Sequence, residues 1–198
     1  QTLDHISNGR VEFGIGRGTF PEHHDAFNSP YPESRTRFDE YLEIILKAWT
    51  EEQVTFSGNH YSCQDIWVKP KPIQQPHPPI RVGVTSAETF KIIGQLGYPI
   101  FINPSRAFAL SDLSPYIEEY LKSWREAGHV GDGEVGLRVP IYVSDTEAKA
   151  YEEPRESALA SITSLAERVA VSASREGTTG NWQAESELLS KMTYDDWI

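Results

Sequence analysis

Ten residues near the amino terminus, Gly9-Arg10-Val11-Glu12-Phe13-Gly14-Ile15-Gly16-Arg17-Gly18, carry the clearest chemical signal in the chain. Glycines such as Gly16 and Gly18 let bare backbone N–H groups come close to an anion, because no Cβ stands in the way. Arg17 adds a planar fork of donors suited to a phosphate or a carboxylate. In front of this turn, Val11, Phe13 and Ile15 alternate with Glu12, Gly14 and Gly16, the period of a strand. The chemistry predicted from these residues is capture of a phosphate at the end of a buried strand. The plainer alternative is a surface Arg17 paired with Glu22 or Asp25.

Other reactive residue types are less suggestive. Glu22-His23-His24-Asp25 invites a metal, but adjacent histidines on a regular element cannot both face one ion, and no third ligand cluster has the right spacing. No metal is expected. Cys63 has no basic neighbour in sequence to activate it. Trp49, Trp67 and the other aromatic residues read as core, and Asp4, Arg10 and Glu40 as caps or buried ion pairs.

Composition narrows the function classes. The 198 residues carry a formal net charge of -11, so there is no basic stripe for nucleic acid, and any anion must be met by a local arginine pocket. One cysteine cannot form an internal disulfide framework and fits a reducing compartment. No apolar run approaches the ~20 residues of a membrane span, and no signal-peptide pattern opens the chain. The expectation is a soluble cytoplasmic protein with no membrane contact.

The elements that must position the turn follow from periodicity. Gln1 to Ser7 reads as the end of a helix stopped by Asn8-Gly9. After the strand and turn, Thr19 to Pro32 reads as a long ordered loop. Ser34 to Thr50 is an amphipathic helix with Phe38, Tyr41, Leu42, Ile45, Leu46 and Trp49 on one face and Ser34 as its cap. Val54 to Lys69 is a hairpin turning at Gly58-Asn59, and a proline-rich connector leads to a strand at Ile80–Val84. A helix runs from the Thr85–Thr89 junction to Leu96 and stops at Gly97. A strand at Pro99–Asn103 and a helix at Leu113–Ala127 follow, then a strand from Val135 to Val143. A helical region from about Thr146 to Val171 has Asp145 as its cap and a kink at Pro154. Ser172 to Asn181 reads as a loop and Ala184 to Leu189 as a last short helix. This alternation predicts an α/β fold with parallel strands and right-handed crossovers. Four such units make half of an eight-stranded barrel, which takes ~250 residues, or an open sheet.

Several separated stretches resemble the bacterial-luciferase-like flavin-dependent monooxygenases. They are Leu3-Asp4-His5-Ile6-Ser7-Asn8-Gly9-Arg10, Phe13 to Gly18, Arg37-Phe38-Asp39-Glu40-Tyr41-Leu42, Val54 to Tyr61, and Pro70-Lys71-Pro72 through Ile80, all in the family's order. The resemblance implies a partial (β/α)8 TIM barrel, about strands four to seven, with a β-hairpin insertion. It further implies that residues 1–198 form a single domain of this family, cut short at both ends.

In luciferase's catalytic subunit an arginine after strand four binds the flavin phosphate, and the resemblance puts Arg17 there, with Gly16 beside it. The family's Glu-Ser pair and the Thr three residues on fall at Thr85, Ser86 and Thr89, so Thr85 replaces the acidic residue. Ser86 and Thr89 would then stand at a helix N-terminus, where free N–H groups favour a dianion. No catalytic base is carried over. The implied activity uses reduced FMN, supplied by a flavin reductase or another source, and O2 to oxidise a small organic substrate. Alternatives are an F420-dependent hydride-transfer oxidoreductase and a non-catalytic flavin-binding or partner protein. Half a barrel exposes strand edges, so self-association or pairing with a missing barrel half is expected.

Overall fold

A computed structural model describes residues 1–103, 110–175 and 182–197. Four short strands, β1 (Phe13–Ile15), β4 (Ile80–Val84), β5 (Ile100–Ile102) and β6 (Val135–Leu137), form one sheet in the order β1-β4-β5-β6. All three pairings are parallel, with Phe13 opposite Ile80, Val82 opposite Ile100 and Ile100 opposite Val135. β2 (Val54–Ser57) and β3 (Ser62–Ile66) form a separate antiparallel hairpin.

The sheet buries one face. Ile80, Val82, Val84, Ile100 and Ile102 point into a core with Phe90 and Ile93 of α4 (Ala87–Leu96) and Tyr120 and Trp124 of α5 (Ser114–Glu126). Leu42, Leu46 and Trp49 of α3 (Ser34–Thr50) pack against its margin. α4 and α5 approach closely because Gly94 has no side chain: a Cβ there would stand 2.5 Å from the Tyr120 carbonyl oxygen. On the other face, Arg81 bridges Glu12 (2.5 Å) and Glu134 (2.7 Å), and Phe101 lies over Gly136, 42% exposed.

The helix α1 (Thr2–Ser7) ends on Asn8 and Gly9, both left-handed, with φ of 55° and 75°. Its Asp4 is fully buried, and the carboxylate accepts the Ile73 N–H (2.8 Å), the Gln74 N–H (3.0 Å) and the Gln74 side-chain amide (2.8 Å). This fixes the proline-rich connector against the start of the chain. Glu40 does the same for the hairpin, accepting the backbone N–H groups of Asn59 (2.7 Å), His60 and Tyr61 (3.0 Å each). Both carboxylates are therefore structural. Arg10 caps locally, donating from Nε to the Ser7 carbonyl at 2.7 Å.

Several boundaries differ from those read in sequence. Thr19–Pro32 is not all loop: it holds α2 (Pro21–Ala26), and a 3-10 turn follows at Tyr31–Glu33. Pro21 at its first position and Glu22 in its first turn are helix-starting features that the loop-like composition outweighed. Ser34 does not cap α3; its buried hydroxyl has no hydrogen-bond partner among the described residues. β1 begins at Phe13 rather than Val11, and β6 ends at Leu137, since Val139, Ile141 and Val143 are exposed and pair with no strand among the described residues. The helical region after Asp145 divides at Pro154 into α6 (Glu147–Glu152) and α7 (Arg155–Ala173). Its cap is Thr146, which accepts the Lys149 N–H at 3.3 Å, while Asp145 pairs with Lys149. α7 runs two residues into the expected 172–181 loop, of which residues 176–181 lie outside the described residues. α8 (Trp182–Lys191) is longer than expected, and α9 (Tyr194–Trp197) follows.

A second apolar cluster joins Phe20 and Tyr31 to Val169 of α7 and to Trp182 and Leu189 of α8. Among the described residues, no helix is long and apolar enough to cross a membrane.

Two stability predictions follow from these contacts. Gly94→Ala forces a methyl into the Tyr120 backbone and costs about 1–3 kcal/mol, read as a lower denaturant midpoint; an unchanged midpoint refutes the close approach. For Asp4, burial alone would raise the carboxyl's pKa, but the hydrogen bonds from Gln74 and Ile73 outweigh it and hold the group below its ordinary 3.8. A depressed folded-state value contributes stability above the ordinary one and loses it as pH falls through the folded one. Asp4→Asn therefore melts below the wild type at neutral pH, and the gap narrows as pH drops below 3.8; a gap that persists in acid refutes the assignment.

Candidate functional site

The parallel pairing of β1 with β4 brings together turns almost seventy residues apart in sequence. Gly16, Arg17, Gly18 and Thr19 leave the end of β1, and Thr85 and Thr89 stand at the end of β4 and in the first turn of α4. Together with α3 they enclose a cavity of about 150 Å³. Val82, Ile93, Leu96 and Phe38 give it an apolar floor, and Arg35 and Asp39 of α3 form its remaining polar wall.

Of the five residues expected at a phosphate site, Gly16, Arg17, Thr85 and Thr89 line this cavity. Ser86 stands outside its wall. The Ser86 hydroxyl is held by the Thr89 hydroxyl at 2.7 Å, and the Thr89 N–H donates to the Ser86 carbonyl at 3.1 Å. Ser86 is thus the N-cap of α4 by backbone position, without a side-chain bond to the backbone. Its hydroxyl orients Thr89, one step back from the cavity.

Arg17 is exposed, and among the described residues it makes no ion pair. The surface pairing weighed from sequence does not form: Glu22 pairs with Arg168 of α7 (3.4 Å), and Asp25 with Arg175 just after α7. The Arg17 guanidinium instead stands 5.9 Å from the ring centroid of buried Tyr31. Arg35, half-buried, likewise makes no ion pair among the described residues, although Asp39 lines the same cavity. Two guanidiniums without an ion pair among the described residues thus line one cavity, and planar donor forks of this kind suit an anion with two or more acceptor oxygens.

Arg35 was missed in sequence because it sits in a run with Arg37 on a helix whose charged face reads as solvated. Position separates them. Arg37 donates to Glu33 (2.8 Å) and to the Tyr61 hydroxyl (2.9 Å), which leaves Arg35 on the turn's side of the helix.

The turn itself is held from behind. Gly18 has φ of 88°, and a Cβ there would meet the His24 ring at 2.9 Å, so both conformation and space call for glycine. His24 stacks edge-on against Tyr31 at 5.1 Å. Arg168 lies over the Phe20 ring at 3.8 Å and bonds to His23 Nε2 (2.8 Å) and Glu22. Glu22, His23 and Asp25 thus brace α2 against α7 and the residues just after it, while His24 faces the turn.

A second cavity of about 460 Å³ shares Gly83 and Thr85 with the first and continues across the open sheet face past Phe101, Asn103, Leu137 and Arg138. Its walls are mainly apolar, so a ligand with an anionic tail at Arg17 and Arg35 has space beyond Gly83 for a flat apolar portion.

Comparison with known proteins gives this arrangement its context. The family model for luciferase-like monooxygenases matches residues 1–194. The chain is 26% identical to the FMNH2-dependent dimethylsulfone monooxygenase of Pseudomonas putida, over 98% of this chain and 54% of that protein. It is 31% identical to the F420-dependent glucose-6-phosphate dehydrogenase of Kineococcus radiotolerans, over 82% of this chain and 48% of that one. The crystal structure of the monooxygenase RslO1 from Streptomyces bottropensis superposes with a TM-score of 0.71 and 26% identity, over 85% of this chain and 54% of that one. The chain spans about half the length of these relatives. The solved relatives are TIM barrels, and a four-stranded parallel sheet with its helices on one face is consistent with part of one. From the match over residues 1–194 and the shared fold, the chain belongs to the luciferase-like monooxygenase family.

Proposed function

We propose that the cavity after β1 binds the phosphate of FMN, and that the protein is a flavin-dependent monooxygenase oxidising a small organic substrate with O2. The observation that carries this reading is the pair Arg17 and Arg35, facing one cavity without an ion-pair partner among the described residues. The residues present fit the group. Gly16 and Gly18 leave backbone N–H groups open to approach, the two guanidiniums match phosphate oxygens, and Thr85 and Thr89 supply hydroxyls at the start of α4. The 150 Å³ available suits a phosphate and the first atoms of its tail.

In this reading Arg17 and Arg35 neutralise the dianion, and Ser86 holds the Thr89 hydroxyl towards it. The shared wall at Gly83 and Thr85 aligns the tail towards the larger cavity, where Phe101 and Leu137 offer apolar surface to the ring region. Bound reduced flavin supplies the electrons for oxygen chemistry, and a reductase or other donor supplies the reduced flavin. The residues described here bind and orient; no proton-transfer role is assigned to any of them.

The second reading is an F420-dependent hydride-transfer enzyme, favoured by the 31% identity to the Kineococcus dehydrogenase. Equilibrium titration with FMN, riboflavin and F420 separates the readings, and oxygen uptake during turnover identifies a monooxygenase. FMN is expected to bind more tightly than riboflavin. Arg17→Gln or Arg35→Gln should each remove a charge-assisted contact and weaken FMN by roughly 10- to 100-fold, leaving riboflavin affinity unchanged. Equal affinity for FMN and riboflavin overturns the phosphate assignment, and tight F420 binding without oxygen uptake selects the second reading.

A further inference from the structure

His24 is not needed to form the cavity, yet the turn is built against it. Its buried Nε2 has no hydrogen-bond partner of normal geometry among the described residues, and it lies 2.9 Å from the point where a Gly18 Cβ would stand. Its ring packs edge-on against Tyr31, the ring over which Arg17 stands. The imidazole therefore sits directly behind an anion receptor whose two arginines already face the front. We propose that His24 is a third cationic contributor to that receptor and takes up a proton from solvent as a dianion settles at Arg17 and Arg35. This inference rests on the phosphate reading above and extends it to a group outside the cavity wall.

The electrostatic surroundings support the coupling. Burial holds the His24 pKa below its ordinary value, and the positive charge of Arg17 and the proximity of His23 push it the same way. Asp25 and the Gly18 backbone pull in the opposite direction. The remaining charged groups packed around it are already engaged: Arg168 with Glu22 and His23, and Arg175 with Asp25. Tyr31 presents its ring to the imidazole. A dianion in the cavity cancels the guanidinium field that opposes an imidazolium, and the proton taken up then attracts the dianion. By linkage the two effects are equal: whatever the anion does to His24, protonated His24 does to anion affinity. Nε2 lies next to Gly18, and an imidazolium donates from both ring nitrogens, so the protonated ring can bond the backbone of the turn and stiffen the cradle.

Sulfate is a suitable probe, because it stays a dianion over the pH range in which histidine titrates, whereas phosphate esters do not. The expected result is roughly fivefold or greater tightening of sulfate between about pH 7.5 and about pH 5.5, the lower end of ordinary site-to-site coupling. His24→Gln should flatten that pH dependence. An independent measurement needs no variant: in NMR titrations of the wild-type protein, the His24 ring should titrate at higher pH with sulfate present than without it. If sulfate binds and Arg17→Gln weakens it, yet the His24 titration stays fixed and the affinity is flat with pH, the role of His24 is refuted while the phosphate site stands. If sulfate does not bind, or binds equally well to Arg17→Gln, the phosphate reading falls and this inference falls with it.

Discussion

The parallel pairing of β1 with β4 is the constraint on which the rest of the structure depends. Phe13 opposite Ile80 and Ile15 opposite Val82 align the carboxyl ends of two strands separated by α2, α3, a hairpin and a proline-rich connector. With that register set, the turn carrying Arg17 must lie beside the turn carrying Thr85 and Thr89. A one-residue slip would move the side chains of β4 from the core to the open face. The long excursion between the strands is pinned at two points, by Asp4 on residues 73 and 74 and by Glu40 on residues 59 to 61. These two buried or half-buried carboxylates accept backbone N–H groups that would otherwise lack partners. Their contribution to the site is indirect but necessary, because they hold the connector that delivers β4.

The carboxylates near the site are distributed in a way that leaves its arginines open. Arg168 and Arg175 take up Glu22 and Asp25, the first two acidic residues after the turn, while Arg37 takes Glu33. Arg17 and Arg35 line a cavity that Asp39 also lines, and neither makes an ion pair among the described residues. The same ion pairs tie α2 to α7, so the C-terminal helices brace the turn through Phe20, Tyr31 and Trp182. Such bracing would matter for a binding site, because a turn held in place before a ligand arrives does not lose as much freedom on binding.

Much of the fold was legible in the sequence. The alternation of strand and helix periods located the parallel sheet, and the Asn8-Gly9 and Gly97 stops appear where left-handed caps require them. Arg17, Gly16, Thr85 and Thr89 could be named from motif and resemblance, and they converge on one cavity. What escaped was decided by tertiary contacts. Whether Arg35 or Arg37 faces the site depends on how α3 is rotated, which packing of Leu42, Leu46 and Trp49 settles. α2 is too short and polar to announce itself by period, and it is stabilised by α7, about 145 residues away. Val139, Ile141 and Val143 alternate as a strand does, yet no neighbour pairs with them among the described residues. Ser86 matched the motif, but its hydroxyl is turned to Thr89 rather than to the cavity.

The central claim is that the turn after β1 is an anion cradle formed by Arg17 and Arg35 with the start of α4. A crystal structure of the protein with FMN tests it most directly. The account predicts the phosphate within hydrogen-bonding distance of both guanidiniums and of the Thr89 hydroxyl, with the ring system beyond Gly83. A phosphate lodged elsewhere, for instance at Arg138 on the open sheet face with the Arg17 turn empty, would contradict it.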